Sequence, residues 1–168
     1  AALLSRVKGF GWCRHWPLGF VVLAVMLLLR SDPETWPLGP ISFLESLKDA
    51  EVLQHRVAML VALALGLLEW RARAAPRPGS RLPYVFPVLA VVGGVLLLTH
   101  SHAAFEIKSQ FLIQVSHTAM GFLAVIVAGG RWLELRLRPP AAAVAGTASS
   151  VAMLLIGLIL IFYRETTY

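Results

Sequence analysis

Thr99-His100-Ser101-His102 ends one long apolar run of this chain, and Ser116-His117-Thr118-Ala119-Met120 begins the next. An earlier apolar run opens in the same way, as Gln54-His55-Arg56-Val57-Ala58-Met59. Four of the five histidines therefore stand at the ends of apolar segments. This pattern predicts that the four imidazoles meet at one level of a bundle of membrane helices.

The composition places the chain in the membrane class. Of its 168 residues, 58% are hydrophobic and 14% are charged, whereas soluble domains carry about 25% charged residues. The mean hydropathy is +0.74. The formal charge of +6 comes from basic residues between apolar runs without interleaved aromatic residues, so membrane topology explains it better than nucleic-acid binding. The single cysteine, Cys13, cannot form a disulfide framework or a Cys-based metal cage within this chain.

The apolar segments predict an all-α integral membrane protein with about five transmembrane helices in the lipid bilayer. A helix needs about 20 residues to cross a hydrocarbon core of about 30 Å. One multi-pass membrane domain is expected over residues 1–168, with helices at about 10–30, 52–71, 84–102, 107–133 and 143–163. The first apolar run, 17–29, is short, so we expect it to recruit residues 10–16. The loop 31–50 is expected to contain a short interfacial helix over 41–47.

The distribution of basic residues predicts the orientation of these helices. Arginine and lysine are concentrated before the first helix, between the second and third, and after the fourth, whereas most acidic residues lie on the other side. By the positive-inside rule, the N-terminus is expected in the cytoplasm and the C-terminus in the periplasm or exterior. The loop 31–50 is then expected on the outer side.

The second and fourth predicted helices resemble each other in their spacing. His55 precedes Trp70 by fifteen residues, and His117 precedes Trp132 by fifteen residues. If both tryptophans lie in the inner aromatic belt, each histidine lies about 22 Å above it, within the outer leaflet. The two imidazoles are therefore expected at the same depth.

The third predicted helix runs the opposite way and brings His100 and His102 to the same end. Residues two apart are separated by about 200° on a helix. Either only one of these histidines faces the bundle, or the helix ends at Thr99 and an extended segment presents both. Met59 and Met120 each follow a histidine by about one turn on the same face.

Histidine and methionine together point to a metal site. Neutral imidazole suits copper, zinc and iron, and thioether sulfur shifts the preference toward Cu(I). Ionisable residues at membrane depth are costly, which favours a functional role. The alternative is ordinary: each histidine sits in the wet interface, and the methionines are packing residues. The candidate metal ligands are His55, His100, His102, His117, Met59 and Met120.

Several segments resemble a known family. They are Asp32-Pro33-Glu34, Trp36-Pro37, Gly39-Pro40, Glu51-Val52-Leu53-Gln54-His55-Arg56, Leu68-Glu69-Trp70-Arg71, Leu98-Thr99-His100-Ser101-His102 and Arg131-Trp132-Leu133-Glu134-Leu135-Arg136-Leu137. Together they are similar to the membrane part of bacterial copper-resistance proteins of the CopD/PcoD type. The resemblance implies a protein of the bacterial inner membrane that binds or translocates copper at the periplasmic face. A periplasmic copper protein or a larger membrane complex would be its partner.

Two other functions fit the same residues. His55 and His117 could supply the axial ligands of a b-type haem in an electron-transfer protein. Alternatively, the chain is an accessory transmembrane subunit of a larger complex, with its small-residue faces packed on partner helices. No enzyme is predicted, because the phosphate-binding, dinucleotide-binding, zinc-protease and nucleophile-elbow motifs are all absent from the sequence. Arg56 is expected to snorkel outward or to pair with Glu51 or Glu106.

Overall fold

A computed structural model describes residues 2–6, 11–99 and 107–162. Within these ranges the regular structure is helical, with short 3-10 segments at Leu4–Arg6, Gly11–His15 and Leu82–Tyr84. The α-helices are α1 (Leu18–Arg30), α2 (Phe43–Ser46), α3 (Ala50–Ala74), α4 (Val85–Thr99), α5 (Ile107–Arg136) and α6 (Ala141–Phe162).

In the part of the chain that the structure describes, four helical segments are long and apolar enough to cross a membrane: Ala50–Ala74, Leu82–Thr99, Gln110–Arg136 and Ala141–Phe162. They match the second to fifth predicted helices. The prediction of an all-α fold with several membrane-spanning helices is confirmed at this level. Such a fold is expected because the hydrocarbon core offers no partners for backbone N–H and C=O groups, so an isolated segment must satisfy them within a helix.

The first apolar helix is shorter than the predicted span of 10–30. α1 has 13 residues and covers about 20 Å. Gly11–His15 forms a separate 3-10 segment, and the buried Pro17 stands at the N-cap of α1. Proline suits the start of a helix because its φ is already helical and it has no N–H to leave unpaired. The predicted interfacial helix over 41–47 is represented by the single turn of α2.

The chain divides into two compact units, residues 3–82 and 83–168. In the first unit α1 packs on α3 as an antiparallel hairpin. The two helices are in close contact at Gly66, which is buried: a Cβ there would lie 2.8 Å from Val21 Cγ2 and 3.0 Å from the Pro17 carbonyl oxygen. Only glycine allows the two backbones to lie this close, as in other membrane helix pairs.

The second unit is built on α5, which packs against both α4 and α6. Gly94 of α4 faces Gly121 of α5, where an added Cβ would lie 3.0 Å from the Gly94 carbonyl oxygen. Towards α6, the Ser149 hydroxyl donates a hydrogen bond to the Val127 carbonyl at 2.9 Å, and Ser149 is buried. Small residues and the Ser149–Val127 hydrogen bond therefore contribute to the packing of this unit, as is typical of helices that pack in lipid.

Candidate metal site

The start of α3 positions two buried polar residues of the first unit. Asp49 caps the helix, because its carboxylate accepts hydrogen bonds from the backbone N–H groups of Glu51 at 2.8 Å and Val52 at 3.3 Å. This cap begins α3 at Ala50 and places His55 and Arg56 in its second turn. Both are buried in the α1–α3 hairpin.

His55 contacts a carboxylate from the loop that follows α1. Its Nδ1 lies 2.9 Å from Oδ1 of Asp32, and the two side chains are only 11% and 9% exposed. With the proton on Nδ1, His55 donates to Asp32 and carries its lone pair on Nε2. Metal-binding histidines commonly donate their other ring N–H to a carboxylate, which fixes the ring orientation and strengthens the ligand. The contact with Asp32 through Nδ1 thus matches the arrangement seen at metal-binding histidines.

Arg56 fixes the loop that carries Asp32. Its Nη1 donates to the Leu28 carbonyl at 3.2 Å, and its Nη2 donates to Thr35 Oγ1 at 2.7 Å and to the Trp36 carbonyl at 2.6 Å. Thr35 Oγ1 in turn donates to the Asp32 carbonyl at 2.9 Å. Of the two alternatives predicted for Arg56, outward snorkelling is wrong, since only 4% of the residue is exposed. Pairing with Glu51 or Glu106 stays a prediction, and Glu106 lies outside the described residues. The hydrogen bonds of Arg56 close the loop over the end of α1.

The second carboxylate oxygen of Asp32, Oδ2, indicates that a cation could bind at this cluster. Oδ2 is buried and accepts no hydrogen bond from the part of the chain that the structure describes. A buried carboxylate oxygen is costly unless a donor or a cation stabilises it. The negative charge that Asp32 carries beside the His55 imidazole therefore favours a cation bound nearby.

His117 has an equivalent ring arrangement in the second unit. Its Nδ1 lies 2.9 Å from the Ile113 carbonyl oxygen one turn earlier in α5, and 8% of the residue is exposed. Donation from Nδ1 to this carbonyl again leaves the lone pair on Nε2. Met120, which is 3% exposed, is buried about one turn further along the same helix, and Met59 in α3 is half-buried.

The structure bears on these candidate ligands to different extents. His100 and His102 lie outside the described residues. His55 and His117 belong to different units, so their convergence stays a prediction. Across residues 2–6, 11–99 and 107–162, no group of three or more His, Cys, Asp or Glu residues is placed to hold a metal ion. The structure brings together Asp32 and His55, with Arg56 and Thr35 supporting them.

The tryptophans that end α3 and α5 make similar contacts. Trp70 Nε1 donates to His15 Nδ1 at 2.9 Å, and His15 precedes α1. Trp132 packs edge-on against Tyr84, which precedes α4, with ring centroids 5.3 Å apart. In each hairpin the tryptophan therefore contacts an aromatic ring just before the partner helix. α3 and α5 therefore share this tryptophan contact in addition to the fifteen-residue spacing between histidine and tryptophan.

Comparison of the chain with protein-family models, with curated proteins and with solved structures finds no match. The site must therefore be interpreted from its own chemistry.

Sequence analysis missed Asp32 and Thr35 as parts of the site. The available signal was an aspartate two residues beyond an apolar helix, together with Arg56, a charged residue next to a histidine within an apolar run. A buried arginine in such a run needs partners from another segment, and the nearest loop was the place to search.

Proposed function

We propose that this chain is a multi-pass protein of the bacterial inner membrane that binds copper at its periplasmic side and takes part in copper translocation. The observation that supports this most directly is the Asp32–His55 pair, in which a buried carboxylate orients a buried imidazole with its lone pair on Nε2. The likeness of several segments to copper-resistance proteins of the CopD/PcoD type supports the same function.

The proposed ligand set combines hard and soft donors. His55 and His117 contribute Nε2 nitrogens, His100 and His102 contribute further imidazoles, and the sulfur atoms of Met59 and Met120 favour Cu(I) over zinc. Asp32 is a positioning residue, since it acts on the metal through His55.

The proposed topology has five spans with the N-terminus in the cytoplasm. In this arrangement α1 is the first span of the chain and is added to the four longer ones. Its 13 residues require local thinning of the bilayer or help from neighbouring residues. The loop between α1 and α3 lies on the periplasmic side, where a periplasmic copper protein could deliver the cation. The positive-inside distribution of arginines supports this orientation.

Copper binding is tested by metal analysis of the purified protein in detergent after reconstitution with Cu(I). We expect near-stoichiometric copper in the wild type and a clear loss in His55→Ala and His117→Ala. His15→Ala is the matched control, because His15 is exposed and lies at the opposite end of the hairpin, where it contacts Trp70. Equal copper in all four proteins would overturn the proposal.

A b-type haem is the second candidate, because axial haem histidines need the same oriented Nε2 donor that His55 and His117 present. The absorption spectrum of the same samples separates the two functions. A Soret band that disappears in the His55→Ala/His117→Ala double variant would assign haem. A protein that shows neither bound copper nor a Soret band would instead be assigned as an accessory subunit of a larger membrane complex.

A further inference from the structure

The segment that follows α1 and runs into the first residues of α2 exposes an unusual amount of apolar surface. We call residues 36–44 the interfacial loop. Leu44 is 77% exposed and Leu38 is 68% exposed, values typical of charged side chains rather than of leucine. The large apolar side chains of this loop are all exposed: Trp36, Leu38, Ile41, Phe43 and Leu44.

These side chains are displayed by a backbone with defined hydrogen bonds. Trp36 N–H donates to the Ile41 carbonyl at 2.9 Å, and Ile41 N–H donates to the Glu34 carbonyl at 3.1 Å. Gly39 sits against Glu34 so closely that an added Cβ would overlap the Glu34 carbonyl group. The rings of Trp36 and Phe43 pack edge-on at 5.7 Å. The exposure of the apolar side chains is therefore part of the folded structure.

The interfacial loop folds back beside the helix ends. One guanidinium, that of Arg56, binds both the Trp36 carbonyl and the Leu28 carbonyl. Leu28 lies inside α1, two residues before its end, and Arg56 lies six residues into α3, about 9 Å below the start of that helix. The Trp36 carbonyl is therefore level with the last turn of α1.

This position coincides with the end of the apolar surface of α1, which is apolar up to Leu29 and ends at the exposed Arg30. Because α1 spans only about 20 Å of a hydrocarbon core of about 30 Å, its apolar end marks how far the bilayer can extend on this side of the helix. A membrane that surrounds the α1–α3 hairpin would bring its interface to the level of Trp36. Tryptophan, phenylalanine and leucine are favourable at that level, where their apolar surface leaves water and the indole N–H remains hydrated.

The interfacial loop itself contains no charged residue, so it offers no ion pair to a protein partner, and the charges that flank it argue against an anionic one. Residues 31–51 contain five acidic residues and one lysine, so anionic headgroups and acidic proteins would be repelled. We propose that the interfacial loop inserts into the headgroup region of the bilayer at this end of the α1–α3 hairpin. The partner is a lipid surface, and the interaction is apolar.

Nitroxide labels on single cysteines test this insertion in nanodiscs of phosphatidylcholine. With Cys13 replaced by alanine, labels go on Leu38→Cys, Leu44→Cys and, as the matched control, Lys48→Cys, which is exposed just before the Asp49 cap. We expect the two leucine sites to collide mainly with oxygen and the lysine site mainly with a water-soluble nickel chelate. The ratio of oxygen to nickel collisions should be several-fold higher at the leucine sites than at the lysine site. This difference should persist at high salt, because salt does not screen apolar insertion.

Equal nickel accessibility at all three sites would overturn the proposal. Protection of the leucine sites that appears only after a soluble protein is added would also overturn it, because the occupant would then be that protein. Helical circular dichroism and a single size-exclusion peak for each labelled variant show that the fold is intact. This result is independent of copper, so it stands or falls apart from the proposed function.

Discussion

Oδ1 of Asp32 lies 2.9 Å from Nδ1 of His55 and joins the loop after α1 to the second turn of α3. The two residues are 23 positions apart in the sequence. Their contact is possible because the antiparallel hairpin brings the end of α1 beside the beginning of α3. This pair fixes the orientation of the His55 ring, and its contribution to copper binding can be measured directly.

Asp32→Asn should weaken Cu(I) binding about 10- to 100-fold, the usual effect of removing a group that orients a metal-binding histidine. The amide keeps the shape of the side chain but lacks the negative charge that holds the Nδ1 proton. Competition with a coloured Cu(I) chelator measures the affinity. Glu34→Gln, at an exposed neighbouring carboxylate, should leave the affinity unchanged. An Asp32→Asn protein that binds copper like the wild type would remove Asp32 from the site.

Arg56→Met should destabilise the first unit by about 2–4 kcal/mol, because the Leu28 and Trp36 carbonyls and the Thr35 hydroxyl lose a charged donor. Thermal unfolding in detergent, followed by circular dichroism, should show a lower Tm. Arg30→Met is the control, since Arg30 is exposed at the end of α1, and its effect should be small. Similar Tm values for the two variants would mean that the Arg56 hydrogen bonds contribute little.

Gly66→Ala should destabilise the α1–α3 hairpin by about 1–3 kcal/mol through overpacking against Val21 and the Pro17 carbonyl. Gly129→Ala has nothing within 4 Å of the added Cβ. It should be neutral or slightly stabilising, because alanine is the better helix former. Chemical unfolding of both variants in mixed micelles compares them. A Gly66→Ala protein as stable as the wild type would show that α1 and α3 can move apart at Gly66 without a loss in the free energy of unfolding.

Glu69→Gln and Glu134→Gln should differ in their effects. Glu69 is buried and accepts from Arg73 Nε at 2.7 Å, whereas the Arg131–Glu134 pair, at 2.9 Å, is partly exposed. Removing the buried charge leaves Arg73 with its contact to Trp16, at 5.0 Å from the ring centroid, as the compensating interaction. We expect a loss of about 1–3 kcal/mol for Glu69→Gln and under about 1 kcal/mol for Glu134→Gln. Equal unfolding midpoints would contradict this ranking.

The helices could be predicted from the sequence because their causes are local. Apolar length alone predicts segments that must satisfy their backbone hydrogen bonds internally in lipid, and the predicted spans 52–71 and 107–133 fall within α3 and α5. The start of α1 was less predictable, since residues 10–16 are also largely apolar. The turn at Pro17 separates them from the helix.

The sequence by itself determined the membrane character of the chain, the approximate helices, and the positions of histidines and tryptophans near the helix ends. These features could be predicted because hydropathy and periodicity depend on residues within a few turns of one another. Only the tertiary structure decided that Asp32 orients His55, that Arg56 binds Leu28, Thr35 and Trp36, and that the loop after α1 folds back beside the helix ends. These contacts join residues 20 or more positions apart. They depend on how the antiparallel hairpin closes, which no local pattern specifies.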